Sequence, residues 1–225
     1  PRAAGMVNAV LRKFVANWMN MPPIPQGSTA EYLSVRYSHP RWLVERLLEL
    51  LPAEEAEQFL QGDNDIVPTT IQTNLLKTDD ESLLQELRQA GVDIERHGWL
   101  PHCFTVSGTG SLERLPAFAE GRFMVQDAAA HLVTVVAGPQ KGDRVQDVCA
   151  APGGKSFAAA IAMEGEGQIL SCDIHPHKLK LIDSGAKRLG ISCLRTMLAD
   201  AREHHAAWDR AADVVIADVP CSGLG

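Results

Sequence analysis

Between Arg144 and Asp218, short β-prone runs alternate with helical ones, and no other feature constrains the fold as strongly. Strand signals cover Arg144–Val148, Gln168–Cys172, Ser192–Leu198 and Asp213–Ala217. Helical runs fill Phe157–Met163 and Pro176–Leu189, the second stopped by Gly190. This order predicts a parallel, doubly wound α/β sheet. Its first strand runs into Asp147-Val148-Cys149-Ala150-Ala151-Pro152-Gly153-Gly154-Lys155-Ser156. A strand, a glycine-bearing turn and a helix start place backbone N–H groups where a nucleotide can approach closely.

The loop excludes the two commonest nucleotide motifs. In a phosphate-binding P-loop a glycine precedes Gly-Lys-Ser with four residues between, and that position here is Cys149. The dinucleotide pattern G-x-G-x-x-G is also absent. A turn rich in Ala, Pro and Gly after a strand ending in an acid suits S-adenosylmethionine, which has no phosphates and carries an amino acid moiety.

Asp173, Asp200 and Asp218 each follow a predicted strand. In open α/β sheets ligands bind beyond the carboxyl ends of the strands, so these acids are expected to converge on the loop. Asp173 lies twenty residues after Gly153, the spacing at which an acid reaches ribose hydroxyls. One such acid alone reads as a helix cap or turn residue; three beside the glycine loop read as a pocket.

The second informative stretch is Asp218-Val219-Pro220-Cys221-Ser222-Gly223. Carbon 5 of a pyrimidine is a poor nucleophile. Thiolate attack on carbon 6 makes carbon 5 enamine-like, able to take a methyl group from a sulfonium, and an acid at the ring nitrogen helps the ring accept electrons. An acid and a thiol beside a methyl donor therefore make chemical sense. For Cys149, Cys172 and Cys193, on or beside predicted strands, the small-buried-residue reading is preferred.

Upstream, residues 2–19 read as a core-facing helix, with Met6, Val10, Phe14 and Trp18 at helical spacing. Met21 to Gly27 reads as a linker. Helices are expected from Pro40 to Leu51 and from Pro52 to Gln61. A strand at Thr69–Leu76, a helix at Asp80–Ala90 capped by Asp79, and strands at Val92–Glu95 and Cys103–Val106 suggest a small α+β unit. That unit reads either as an RNA-binding sheet or as a packing domain. Phe123–Gln126 is a short strand, and Asp127 caps a helix running to Val136.

The 225 residues suffice for one to two domains with a sizeable core, and at 45% hydrophobic and 22% charged the composition is globular. No apolar run approaches the ~20 residues of a membrane helix, so no membrane partner is expected. Five irregularly spaced cysteines without C-x-x-C argue against a disulfide framework or a zinc site; a reducing cytoplasm and no metal are expected. The net charge of −7 is uneven: residues 1–51 hold six Lys/Arg against three Asp/Glu, and residues 52–98 hold three against eleven. An acidic total weighs against indiscriminate nucleic-acid binding, and the N-terminal part is the best place for a local basic face. Because the chain begins at Pro1 rather than Met, it is expected to be a fragment of something longer.

Cys149 to Lys155 and Asp218-Val219-Pro220-Cys221-Ser222-Gly223 resemble the two signature motifs of the RNA cytosine-5 methyltransferases of the NOL1/NOP2/Sun group. Within it the chain is most similar to the bacterial Sun, or RsmB, branch, which methylates 16S ribosomal RNA. Gly5 to Arg12 resembles the last helix of that branch's NusB-like RNA-binding domain. Tyr37 to Leu43 resembles the start of its connecting domain, and Phe123 to Ala128 the segment before its cofactor domain. The resemblance implies an α/β architecture: a Rossmann-like methyltransferase domain over 121–225, incomplete at its C-terminus, a small α+β domain over 39–120, a linker over 21–38 and the NusB-like helix over 1–20.

It also implies roles. Cys149, Ala150, Ala151, Pro152, Gly153, Gly154 and Lys155 would line the S-adenosylmethionine pocket, Asp173 would hold the ribose, and Asp200 would lie near the adenine. Asp218 would face both cofactor and cytosine. Cys221, Asp218 and Lys155 form the expected catalytic set, Cys221 helping to release product. The family nucleophile lies in a later Thr-Cys motif. None occurs up to Gly225, so the main nucleophile is expected beyond Gly225 and the chain is expected to be catalytically incomplete. The implied partner is 16S ribosomal RNA, free or in early assembly, met by a monomer. Transfer RNA or large-subunit ribosomal RNA as target, and a non-catalytic cofactor- or RNA-binding module, remain alternatives. Small-molecule methylation is disfavoured because it needs no Asp-x-Pro-Cys thiol.

Overall fold

The computed structural model describes residues 3–20, 23–24, 27–108 and 110–221. They fall into two compact units, one up to Ile66 and one from Val67 onward. Arg2, much of the Met21–Gln26 linker, and Ser222 and Gly223 of the second motif lie outside the described residues. Gly225 lies outside them too, so the expectation of a nucleophile beyond Gly225 falls on no described residue.

The first unit is helical: α1 (Ala4–Asn17), α2 (Thr29–Tyr37), α3 (Arg41–Leu50) and α4 (Ala53–Gly62). Leu33, Val44 and Leu60, one from each of the last three helices, form its buried core. Two expectations fail here. Residues 21–38 are not all linker: Thr29–Tyr37 is a helix whose N-cap Ser28 accepts from the Glu31 N–H, and Leu33 is buried. Nor is α1 core-facing, since Met6, Val10, Phe14 and Trp18 are all exposed and none of its residues is buried. The apolar stripe is present, but no described element of the unit covers it.

The second unit opens with β1 (Thr69–Thr73), α5 (Asp80–Gln89), β2 (Asp93–Arg96), β3 (Cys103–Ser107), α6 (Pro116–Ala119) and β4 (Phe123–Val125). The strands form an antiparallel sheet in the order β2-β3-β1-β4. This β-α-β-β-α-β order is the ferredoxin-like arrangement. Asp79 caps α5, its carboxylate accepting from Ser82 N–H at 2.9 Å. Leu83 and Leu87 of α5 pack on Ile71, Phe104 and Phe123. The expected boundary at 121 is displaced, and the residues after 39 divide between the two units. Residues 39–66 belong with the helical unit. β4, expected in the cofactor domain, pairs with β1 (Ile71 opposite Val125), because the buried Phe123 completes the ferredoxin-like core beside Phe118.

The rest follows the predicted alternation. After α7 (Ala128–Ala137), capped by Asp127, come β5 (Arg144–Asp147), α8 (Gly154–Ala162), β6 (Gln168–Asp173), α9 (Pro176–Leu189), β7 (Leu194–Leu198) and β8 (Val214–Ile216). All pairs in this sheet are parallel, in the order β7-β6-β5-β8. β5 is central, so the loop after it opens where the strand order reverses, the usual ligand crevice of such sheets. α8 is rich in alanine and buried from Ser156 to Ile161, which lets its backbone lie close to the sheet.

Polar groups join the two sheets. Asn74, fully buried, donates from Nδ2 to the carbonyls of Gly121 (2.7 Å) and Leu189 (2.8 Å), and its Oδ1 accepts from Leu76 N–H. The Lys77 ammonium donates to the carbonyls of Glu120 (2.7 Å) and Arg188 (2.8 Å). These bonds satisfy carbonyls that the end of α9 leaves without helical partners. Gly121, at φ +73°, lies so close that a Cβ there would collide with the Arg188 carbonyl. Asn74→Ala should leave two buried carbonyls short of a donor and destabilise the unit by about 2 kcal/mol or more. Chemical denaturation would show this as a lower midpoint with unchanged slope.

Candidate active site

The loop is built from β5 outward. Val148 N–H donates to the Ile216 carbonyl (3.0 Å) and Ala150 N–H to the Cys172 carbonyl (2.8 Å), so the chain leaves the sheet between its two neighbours. Gly153 N–H closes the turn on the Ala150 carbonyl at 2.7 Å. Gly153 has φ +114°, a conformation other residues rarely adopt, and a Cβ there would run into the Phe157 ring. α8 begins at the next residue.

A cavity of about 740 Å³ lies at the carboxyl ends of the strands. Cys149, Ala151, Asp173, Asp200, Asp218 and Cys221 all line it, so the strand-end acids, the loop and the thiol do meet. Val148 lines it as well, whereas Ala150, Pro152, Gly153, Gly154 and Lys155 do not. Ala150 is buried in the core, its N–H spent on β6. Pro152 and Gly154 line a different cavity, on the side of the ferredoxin-like sheet. Lys155 enters the site through a partner: its Nζ donates to Asp218 Oδ2 at 2.6 Å.

Asp173 is mostly buried, and its Oδ1 accepts from His175 N–H at 2.9 Å, which fixes the carboxylate at the strand end. Asp200 is engaged by Arg202, accepting from its backbone N–H (3.0 Å), its Nε (3.0 Å) and its Nη2 (2.6 Å). The Arg202 hydrogen bonds pull the Asp200 carboxyl down to about 2. The expected contact of Asp200 with an adenine thus competes with a forked ion pair.

The field at Cys149 is negative. Burial raises the Cys149 thiol, and Asp147, Asp173, Asp218 and Asp200 push it further the same way, so it stays protonated. Burial likewise drives Cys172 up to about 11 and raises Cys193. For Cys172 and Cys193 this agrees with reading them as packing residues, whereas Cys149 stands on the cavity wall. Cys221 is exposed at the cavity.

Sequence reasoning missed several residues. Ile174, His175, Lys178 and Arg202 line the cavity, the first two as immediate successors of a strand-end acid, a position that could have been read. It also missed the role of Asp147 beneath the loop. Ser171 Oγ–H donates to Ser156 Oγ (2.8 Å), and Ser156 Oγ–H donates to Asp147 Oδ2 (2.8 Å), all three buried. Asp147 Oδ1 has no partner among the described residues. Among the described residues no group of His, Cys, Asp and Glu is arranged to hold a metal ion. No described helix is long and apolar enough to cross a membrane.

The parallel sheet with its carboxyl-end cavity is a Rossmann-like methyltransferase domain, preceded by a ferredoxin-like sheet. A family profile described as "16S rRNA methyltransferase RsmB/F" matches residues 134–225. One described as "Methyltr_RsmF/B-like, ferredoxin-like domain" matches residues 39–113. The chain belongs to this RsmB/RsmF family. It is 31% identical over 227 residues to a Bacillus subtilis (strain 168) protein named "Probable ribosomal RNA small subunit methyltransferase B", covering 99% of this chain and 49% of that one. The crystal structure of PH0851 superposes with a TM-score of 0.82 at 30% identity, over 98% of this chain and 50% of that one. NSun6 from Pyrococcus horikoshii shares the fold, with a TM-score of 0.72 at 21% identity over 81% of this chain and 71% of that one. The chain spans about half the length of the curated relatives it matches.

Burial, the largest influence on Asp147, raises its carboxyl above the ordinary value, while the Ser156 hydrogen bond opposes this. For an acid whose folded value is raised, the folded state binds more protons in the window between the two values. Stability is then greatest below the unfolded value near 4 and falls as pH rises through the folded one. Asp147→Asn keeps an acceptor for Ser156 and removes the buried charge. It should flatten that fall, with a Tm at pH 8 equal to or above that of the parent in thermal melts.

Proposed function

We propose that this chain carries the cofactor site of an enzyme that methylates carbon 5 of a cytosine in 16S ribosomal RNA. The observation that carries the reading is the meeting of Asp218, held by Lys155, with Cys221 in the same cavity as the loop after β5. Family membership and the names of the relatives support ribosomal RNA as the substrate class.

The residues fit S-adenosylmethionine. The cavity volume is in the range of small-ligand sites, and its surplus of carboxylates suits a ligand bearing a sulfonium and an ammonium, not a polyphosphate. When bound, S-adenosylmethionine supplies an electrophilic methyl group. Asp173, anchored by His175 N–H, accepts hydrogen bonds from the ribose hydroxyls. Ile174, about half exposed beside it, offers an apolar wall to the adenine. Cys149 and Ala151 admit the ligand close to the backbone. The Lys155 ammonium holds the Asp218 carboxylate toward the methyl donor on one side and the extruded base on the other. Cys221 takes part in expelling the methylated base. The covalent bond to carbon 6 falls, by the family resemblance, to the cysteine of a Thr-Cys pair beyond Gly225.

Asp173→Ala should weaken S-adenosylmethionine binding to this chain by about tenfold, the loss of a hydrogen-bonded charge; unchanged affinity in titration calorimetry would remove Asp173 from the site. In the full-length protein, Cys221→Ala should accumulate an RNA–protein adduct on denaturing gels. Rapid turnover with no trapped species, or methylation mapped to another ring atom, would sink the cytosine-5 reading.

A further inference from the structure

Arg188, in the last turn of α9, is placed unlike the other arginines. Its Nη1 donates to the carbonyls of Phe118 (2.7 Å) and Phe123 (3.1 Å), and its Cζ lies 3.9 Å from the centre of the Phe118 ring. Nε and Nη2 have no protein acceptor among the described residues. Arg36, Arg41, Arg46, Arg96, Arg122, Arg144 and Arg202 each pair with a carboxylate. Arg12, Arg88, Arg114, Arg195 and Arg210 lack one but stand exposed in water. Arg188 alone among the described arginines is half-buried without a counter-charge. Burial lowers its guanidinium, and no acid opposes the shift. A charge partly withdrawn from water and left unneutralised is costly unless something else neutralises it.

The guanidinium lines a cavity of about 730 Å³. Pro152 and Gly154 of the cofactor loop form one side, Val125 of β4 and Phe118 of α6 the other, and Glu113 is the only acid on its wall among the described residues. Cys149 and Ala151, from the same loop, line the acid-rich cavity. The two cavities therefore share one loop as a common wall. We propose that this second cavity is a nucleotide subsite for the RNA strand next to the target base, with Arg188 holding a backbone phosphate; this rests on the RNA reading above. The uncommitted Nε and Nη2 form the edge of the guanidinium that binds two phosphate oxygens side by side. The apolar wall suits a ribose or a stacked base.

The test is equilibrium binding of a short single-stranded oligoribonucleotide to the 225-residue chain across a range of salt, with thermal melts as the check on folding. Arg188→Gln should weaken binding about tenfold and reduce the slope of log affinity against log salt by about 0.7, one phosphate on a single strand. Arg188→Lys should keep the parent slope. Glu113→Gln leaves Arg188 in place and should tighten binding roughly threefold by removing the acid from the cavity. An unchanged slope in a folded Arg188→Gln protein, or no gain from Glu113→Gln, overturns the subsite and leaves the RNA reading standing. If Arg188→Gln does not fold, the Glu113→Gln result decides. A parent chain that binds no RNA at any salt overturns the RNA reading, and the subsite with it.

Discussion

Asn74 holds together the parts of the second unit that must meet. It follows β1, is wholly buried, and spends its amide on one carbonyl of the ferredoxin-like layer and one at the end of α9. A buried amide satisfied on both sides fixes relative position in a way apolar contact does not, because hydrogen bonds tolerate little displacement. Lys77 repeats the contact one carbonyl away. Arg188 returns it in the other direction, donating from α9 to the carbonyls of Phe118 and Phe123. The cavity walled by Val125 on one side and Pro152 on the other keeps its width through these bonds.

The parallel sheet turns an acidic chain into a selective pocket. Four carboxylates bear on Cys149, but they are not equivalent. Asp147 is sealed beneath the loop with two serines, Asp200 is clamped by Arg202, and Asp218 is held by Lys155. Asp173 is left tied only to a backbone N–H and so is available to a ligand. Sequence position alone made these acids alike; their partners divide the work among them.

The alternation from Arg144 to Asp218 was legible because each strand is short and ends at, or within two residues of, an aspartate, and because turn residues act locally. Asp79 and Asp127 were read correctly as caps for the same reason. The failures were of long range. Phe123–Val125 looks like any short strand, and only its pairing with Ile71 and its neighbours assigns it to the ferredoxin-like sheet. The stripe on α1 has the pattern of a buried face, yet pattern cannot say whether anything covers it. Ala150 and Pro152 sit in one continuous motif but point into the core and into a second cavity. Arg202 was invisible because a residue two positions from Asp200 carries no periodic signal.

The bond from Asn74 to Leu189 also has a kinetic side. It joins residues 115 apart in sequence, whereas the antiparallel strands it anchors pair over much shorter separations. Contacts of high sequence separation form late, since a long loop must close before they reward the chain. During synthesis the ferredoxin-like sheet is complete before α9 has left the ribosome, and until then Asn74 and Lys77 lack the Leu189 and Arg188 carbonyls. The cofactor domain therefore folds onto a template that is already standing. A slow step in refolding of the unit is expected to be the docking of the two layers, not the formation of either sheet.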